Sequence, residues 1–377
     1  MSALGIPGPW GNVALLLGSF VLLLIGAEVF TNGIEWFGHR LGVSESATGS
    51  ILAAVGTALP ETMIPVIAIL QGGKAANEVG VGAILGAPFM LATIAMFLIG
   101  SSVLYFKDRR VFGAEFHFNA ESTRRDLLFF LGGYTLALLA ALVHQRIIAY
   151  AIGGLLIVLY LTYLVRTLRS GELIENEDLD ALHFGHIAEE VAGHSPLHNP
   201  EEGEHALDPG LVLVALQTAF ALGLIIGGAH AFVSEITWAA GAIGIPEAVL
   251  ALLIAPLATE LPEKFNSVLW ISRDKDTLAI GNITGAMAFQ GTLPVTLGIV
   301  YTSWNLTLDW GTAGFLNAFS AILAIISGLI LYYRARSTGE GNMNPRPFLI
   351  GGAFYLLFIV VLIYHVSAFD LAVTGGH

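Results

Sequence analysis

The sequence predicts an all-α polytopic membrane protein of ten transmembrane helices, arranged as two inverted five-helix repeats. Three observations predict it: a shortage of charge, ten apolar stretches of spanning length, and a long internal similarity between the halves.

The 377 residues are 55% hydrophobic and 12% charged, with mean hydropathy +0.75. A soluble domain carries about 25% charged residues. There are 44 glycines, which suit close helix approach in lipid. There are no cysteines, which excludes disulfides and thiolate chemistry. The net charge of −13 is local, because the stretch from Glu172 to Asp208 holds 11 acids and neither Lys nor Arg.

A spanning helix needs about 20 mostly apolar residues. Ten stretches qualify: 11–37, 44–71, 77–105, 125–143, 147–168, 210–239, 246–272, 277–303, 312–334 and 347–368. Period-two strands of barrel type are absent. The first stretch lacks a basic leader and a small-residue cleavage site, so it is read as a retained span. Basic residues set the orientation. With both termini outside, the inner loops carry Arg40, Lys107, Arg109, Arg110, Arg124, Arg125, Arg166, Arg169, Arg273, Lys275, Arg334, Arg336 and Arg346, which is 13 of the 16 basic residues.

Shifting the chain by 202 residues lays residues 26–61 on residues 228–263 without a gap, with 12 of 36 positions identical. The identities include Trp36/Trp238, Thr57/Thr259, Pro60/Pro262 and Glu61/Glu263, which apolar bias does not produce. A shift of 199 lays GAILGA (82–87) on GNITGA (281–286). Five spans per half is an odd number, so the second copy enters the membrane from the opposite side. Many secondary transporters are built this way, with the substrate near the midplane on interrupted helices. The expected organisation is a first repeat over 1–169, an acidic His-rich linker over 170–208 on the inner side, and a second repeat over 209–377.

The chemistry centres on GTALPE (56–61) and ATELPE (258–263), each within the second span of its half. A carboxylate at that depth is expensive and marks a functional site by default. Pro60 and Pro262 have no N–H, which releases the carbonyls of Gly56 and Ala258 from their helices. Each segment therefore offers a carbonyl, a hydroxyl (Thr57 or Thr259) and a carboxylate (Glu61 or Glu263) within about one turn. Facing one another, two such segments make a cage of hard oxygens. Ca2+ takes 6–8 oxygen ligands, and two glutamates neutralise a divalent charge. In the second half Thr259, Glu260, Glu263, Lys264 and Asn266 fall on one polar stripe of a helical wheel. Glu260 and Lys264 have the favourable i, i+4 order. Glu260 is either an ion-pair partner of Lys264 or a third site carboxylate tuned by it.

These segments resemble the repeats of the cation/Ca2+ exchanger superfamily, and the sodium/calcium exchangers in particular. That family carries G-T-S-L-P-E in its second helix and a G-S-N-like motif in its third, matched by GAPF (86–89) and GAMAFQ (285–290). The resemblance covers roughly residues 15–100 and 215–300. It implies alternating-access antiport of Ca2+, or a related divalent such as Mg2+ or Mn2+, against Na+ or H+. By resemblance Glu61, Glu263, Thr57 and Thr259 are ligands of the transported cation. The family's serine is Ala58 in one half and Glu260 in the other, and its later polar residue of the third helix is Leu91 or Gln290. Gln290 therefore joins the candidate ligands, with Gly56, Ala258 and Glu260.

The reading implies no resident cofactor and no nucleic-acid partner. The expected partners are lipid and metal cations, in the plasma or inner membrane, with homo-oligomerisation left open. A channel using the same carboxylates is the alternative. An intramembrane metalloenzyme is disfavoured, because H-E-x-x-H is absent and no histidine is near the central carboxylates. The linker's His183, His186, His194, His198 and His205 suit metal or proton sensing or, more simply, a solvated connection. Glu28, His230 and Glu235 line a path or a polar interface. Glu45 and Glu247 suit helix N-termini.

Overall fold

In lipid every backbone polar group must be satisfied within its own segment, and apolar sequence therefore folds as helix. The computed structural model describes residues 9–40, 53–143, 145–169, 182–185, 210–304, 306–337 and 341–369. Within them, side chains are described except at 35, 38–40, 53–60, 168, 258 and 261–263.

The helices are α1 (Pro9–Arg40), α2 (Ala53–Gln71), α3 (Lys74–Met90), α4 (Met96–Phe106), α5 (Ala120–Ala141), α6 (Arg146–Arg169), α7 (Leu211–Ile243), α8 (Glu247–Ser272), α9 (Asp276–Gln290), α10 (Leu293–Tyr301), α11 (Ala313–Ser337) and α12 (Arg346–Ala368). A π-helical turn, Leu91–Ala95, joins α3 to α4. Among the described residues the elements are all helical except for the two-residue strands β1 (Phe116–His117) and β2 (Asn342–Met343).

Local chemistry sets several boundaries. The Asn119 side chain accepts from the backbone N–H of Glu121 and Ser122 at 3.0 and 3.1 Å, starting α5. α7 ends at Gly244, which has φ 70°. Pro246 then stands at the N-cap of α8.

Seven helical stretches among the described residues are long and apolar enough to cross a membrane: Pro9–Ile34, Lys74–Phe106, Arg146–Thr167, Leu211–Ile243, Asp276–Tyr301, Ala313–Ser337 and Arg346–Ala368. Within α2 and α8 the shorter stretches Glu61–Gln71 and Glu247–Leu257 are apolar. α5 carries Glu121, Arg124, Arg125 and Asp126 in its first two turns, and α8 carries Glu260, Glu263 and Lys264. α6 shows its apolar side chains outward, Ile147, Tyr150, Val158 and Leu161 among them. That is expected of a helix bathed in lipid rather than buried in a core. The chain is an integral membrane protein.

Association in lipid relies on close packing rather than hydrophobic expulsion, which favours small residues at crossings. α1 and α7 cross at two glycines. A Cβ on Gly26 would stand 2.9 Å from Ile225, and one on Gly228 would stand 3.1 Å from Leu23. α3 lies along α8 more closely still: a Cβ on Gly82 would strike the Ala248 carbonyl, and one on Gly86 the Leu252 carbonyl.

Three connections gather at one end. Arg110 donates to Asp276 Oδ2 at 2.6 Å, to the Ile271 carbonyl at 3.1 Å and to the Glu115 carbonyl at 3.0 Å. The backbone N–H of His117 donates to the same Asp276 oxygen at 2.8 Å. β1 pairs antiparallel with β2, Phe116 opposite Met343. At the other end the ring of Trp310 lies 4.3 Å from that of His365.

Candidate cation site

Both proline-containing helices run through their prolines. α2 is helical across Pro60 and α8 across Pro262. The missing N–H therefore costs each helix one internal hydrogen bond without ending it.

Glu61 is 7% exposed, in the middle of α2. Thr259 is buried on α8, and its hydroxyl donates to the Ala255 carbonyl, 3.2 Å away. Glu260 is 2% exposed and ion-paired with Lys264, Oε2 to Nζ 3.0 Å. Both readings of Glu260 involve Lys264, and the geometry supplies that contact. The side chains of Gly56, Thr57, Ala258 and Glu263 lie outside the described ones. The meeting of Glu61 with Glu263 therefore stays an expectation from the repeat. Among the described residues no three His, Asp or Glu side chains converge on one point.

The third helix of each half is interrupted. The first half has the π turn at Leu91–Ala95, just after Pro88. The second has Gly291 and Thr292 between α9 and α10. Shifted by 199 residues, Gln290 and Gly291 fall on Leu91 and Ala92, so the two interruptions correspond. A π turn alters the hydrogen-bond register and is frequent at functional sites. Here the Ala92 carbonyl accepts from Ser327 of α11 at 2.5 Å. Gln290 is buried at the second interruption. The Thr292 hydroxyl caps the end of α9, donating to the Ala288 carbonyl at 2.8 Å and the Phe289 carbonyl at 3.0 Å.

One buried group escaped the sequence reading. Asp126 stands at the start of the 125–143 stretch, beside Arg124 and Arg125, and was not among the candidates. It is buried, and its Oδ2 accepts from Thr284 Oγ1 at 2.8 Å, inside the GNITGA segment of α9. Asn282 of the same segment donates to Ser267 of α8 at 3.3 Å. A polar residue spaced to face a neighbouring span is the signal that could have found Asp126.

The peripheral candidates separate. Glu28 is exposed. His230 Nδ1 lies 2.9 Å from Gln71 Nε2, tying α7 to the end of α2. Glu235 is hydrogen-bonded to Asn12 of α1. Glu247, at the start of α8, stands beside Glu78 of α3. Glu45, His186, His194, His198 and His205 lie outside the described residues, whereas the backbone N–H of His183 donates to Asn32 Oδ1 at 3.2 Å.

Comparison with known proteins bears on this arrangement. Residues 11–169 and 213–366 match the model of a family described as sodium/calcium exchanger protein. An uncharacterized membrane protein of Methanocaldococcus jannaschii is 22% identical over 361 residues, covering 93% of this chain and 98% of the relative. The crystal structure of the H+/Ca2+ exchanger CAX superposes with TM-score 0.67 at 16% identity, covering 95% of this chain and 85% of that one. A structure of the sodium–calcium exchanger NCX_Mj superposes with TM-score 0.53 at 18% identity, covering 93% and 97%. At these identities the structural likeness is one of fold.

Proposed function

The chain belongs to the sodium/calcium exchanger protein family, and from that premise we propose that it is a secondary antiporter. It carries Ca2+, or a related divalent cation, against Na+ or H+ by alternating access. The observation that carries this reading is Glu61: a buried carboxylate in the middle of an apolar helix, in a segment whose Thr, Leu, Pro and Glu recur around Glu263. A transported divalent ion sheds its water only where oxygen ligands and negative charge replace it. Glu61 and Glu263 supply the charge. The carbonyls of Gly56 and Ala258, the hydroxyls of Thr57 and Thr259, and Gln290 supply further oxygen.

The fold proposed is ten spans in two inverted repeats, over 1–169 and 209–377, with 170–208 between them. The α1–α7 crossing supports it. Gly26 meets Ile225 and Gly228 meets Leu23, and adding 202 to 26 and 23 returns 228 and 225. Such reciprocity is what a pseudo-twofold axis produces. The corresponding interruptions of the third helices support it as well. Alternating access needs the two halves to be unequal in any one state. α3 packs closely on α8, whereas α2 and α9, the corresponding pair, have no comparable packing among the described residues.

The orientation proposed has both termini outside, in the plasma or inner membrane. It is supported by the clustering of 107–119, 273–276 and 342–343, all assigned to the inner side, at one end. Because the chain has no cysteine, a single cysteine placed at exposed Lys74 is expected to react with an impermeant thiol reagent from outside intact cells. One placed at Arg169 is expected to react only after permeabilisation. The reverse pattern would refute this orientation.

Purified protein in Ca2+-loaded liposomes tests the function. Ca2+ efflux is expected only when an external Na+ gradient or a pH gradient is imposed. Rapid efflux with neither gradient would replace the antiporter by a channel.

A further inference from the structure

Two opposite charges on α8 meet inside the protein. Lys264 Nζ lies 3.0 Å from Glu260 Oε2, with side chains 5% and 2% exposed. The wall around them is apolar: Met90, Ile94 and Leu98 across the seam, Pro256 and Leu257 on α8 itself. Ile94 belongs to the π turn that interrupts the third helix. The pair therefore stands where an interrupted helix meets a site helix, and Lys264 directly follows Glu263. An ammonium at this depth is costly unless its charge is matched.

Its charge changes the sum that a transported ion must balance. Glu61, Glu260 and Glu263 contribute three negative charges and Lys264 one positive charge, for a net −2. We propose that Lys264 is a resident monovalent cation of the transport site and makes exchange electroneutral, one divalent cation against two monovalent charges.

The physical reason is occlusion. When the site is closed to both sides, any charge left unbalanced is held in a low dielectric, and that state becomes the barrier to transport. A net −2 is balanced by one divalent cation or by two monovalent ones. Without the ammonium the same carboxylates would demand a third monovalent charge, and each cycle would then move one net charge across the membrane. The inference rests on the antiporter reading and adds its stoichiometry.

Voltage tests it. Proteoliposomes take up 45Ca2+ against a fixed outward gradient of the driving cation, while a K+ diffusion potential of either sign is imposed with valinomycin. A potential of about 60 mV changes equilibrium accumulation about tenfold for each net charge moved per cycle. Accumulation by the unaltered protein is expected to be the same at either sign. Lys264→Met, with a site charge of −3, is expected to lose about tenfold at an inside-negative potential of that size. Glu260→Gln, with a site charge of −1, is expected to gain about tenfold under the same potential. The Glu260→Gln/Lys264→Met double variant, again at −2, is expected to ignore the potential.

A pair that merely holds helices together would change yield or rate in these variants, and none would acquire a voltage response. Voltage-dependent accumulation by the unaltered protein would overturn the proposal, as would folded single variants that remain indifferent to the potential. Where Lys264→Met does not fold, Glu260→Gln alone decides by the sign of its response. Ca2+ flux with no driving gradient would instead sink the antiporter reading itself, so the two failures are distinct.

Discussion

Glu61→Gln is expected to lower Ca2+ flux in proteoliposomes about a hundredfold or more while leaving the fold intact. Gln keeps the shape and most of the hydrogen bonding of Glu and removes only the charge. One charge pair at 4 Å is worth about 4 kcal/mol at an effective dielectric of about 20, or roughly a thousandfold in binding. Glu61 is 7% exposed, so water does little to replace what is lost. The check is twofold. Thermal unfolding without Ca2+ should match the unaltered protein. Ca2+ at about 100 times its Kd should raise the stability of the unaltered protein by about 2.7 kcal/mol and leave the variant unmoved. A variant that binds and carries Ca2+ normally would remove Glu61 from the site.

Arg110→Ala is expected to cost about 3–5 kcal/mol of stability, because it strands a buried carboxylate. Arg110 and Asp276 have no exposed side-chain surface and meet at 2.6 Å. Arg110 also holds the Ile271 and Glu115 carbonyls, and it thereby joins the 107–119 connection to the α8–α9 turn. Removing both charges is a different case. Arg110→Met with Asp276→Asn is expected to recover most of the loss, since neither side chain then carries an unpaired charge. Melting in detergent measures both. A loss under about 1 kcal/mol for Arg110→Ala would show a solvent-screened contact instead. Asp276 is the first residue of α9. The same variant is therefore expected to loosen the first turn of α9 and to slow transport further than stability alone accounts for.

How much of this was legible depended on whether a signal survives in one dimension. Glu61 and Glu263 were legible because a carboxylate in an apolar run is conspicuous and because the flanking proline repeats with it. The family was legible for the same reason. The seam between α3 and α8 was half legible: GAILGA stood out as a segment repeated in GNITGA, but nothing in it names Ala248 or Leu252 as the backbone it meets. Asp126 and Arg110 were misleading. Arg110 was assigned to a loop and Asp126 stood at the first turn of a span, each beside other charges that suggest solvent. Packing against α9 and the α8–α9 turn buries them instead. The spans 77–105 and 277–303 were read as continuous. Both are interrupted, at Leu91–Ala95 and at Gly291–Thr292, because the hydrogen-bond register of a helix responds to neighbours such as Ser327 of α11 and Gly133 of α5.

By itself the sequence determined the helical class, the membrane setting and the family, and it supplied the carboxylates proposed to hold a cation. All of these follow from hydropathy and from spacing along one helix, and both are local. Only the tertiary structure decided that the Glu260–Lys264 pair lies within an apolar wall, that Thr284 holds Asp126, and that Arg110 closes on Asp276. The Asp126 and Arg110 contacts join residues more than 150 apart in the chain. The energy of a buried charge depends on the groups that surround it in space, and chain order does not carry that information.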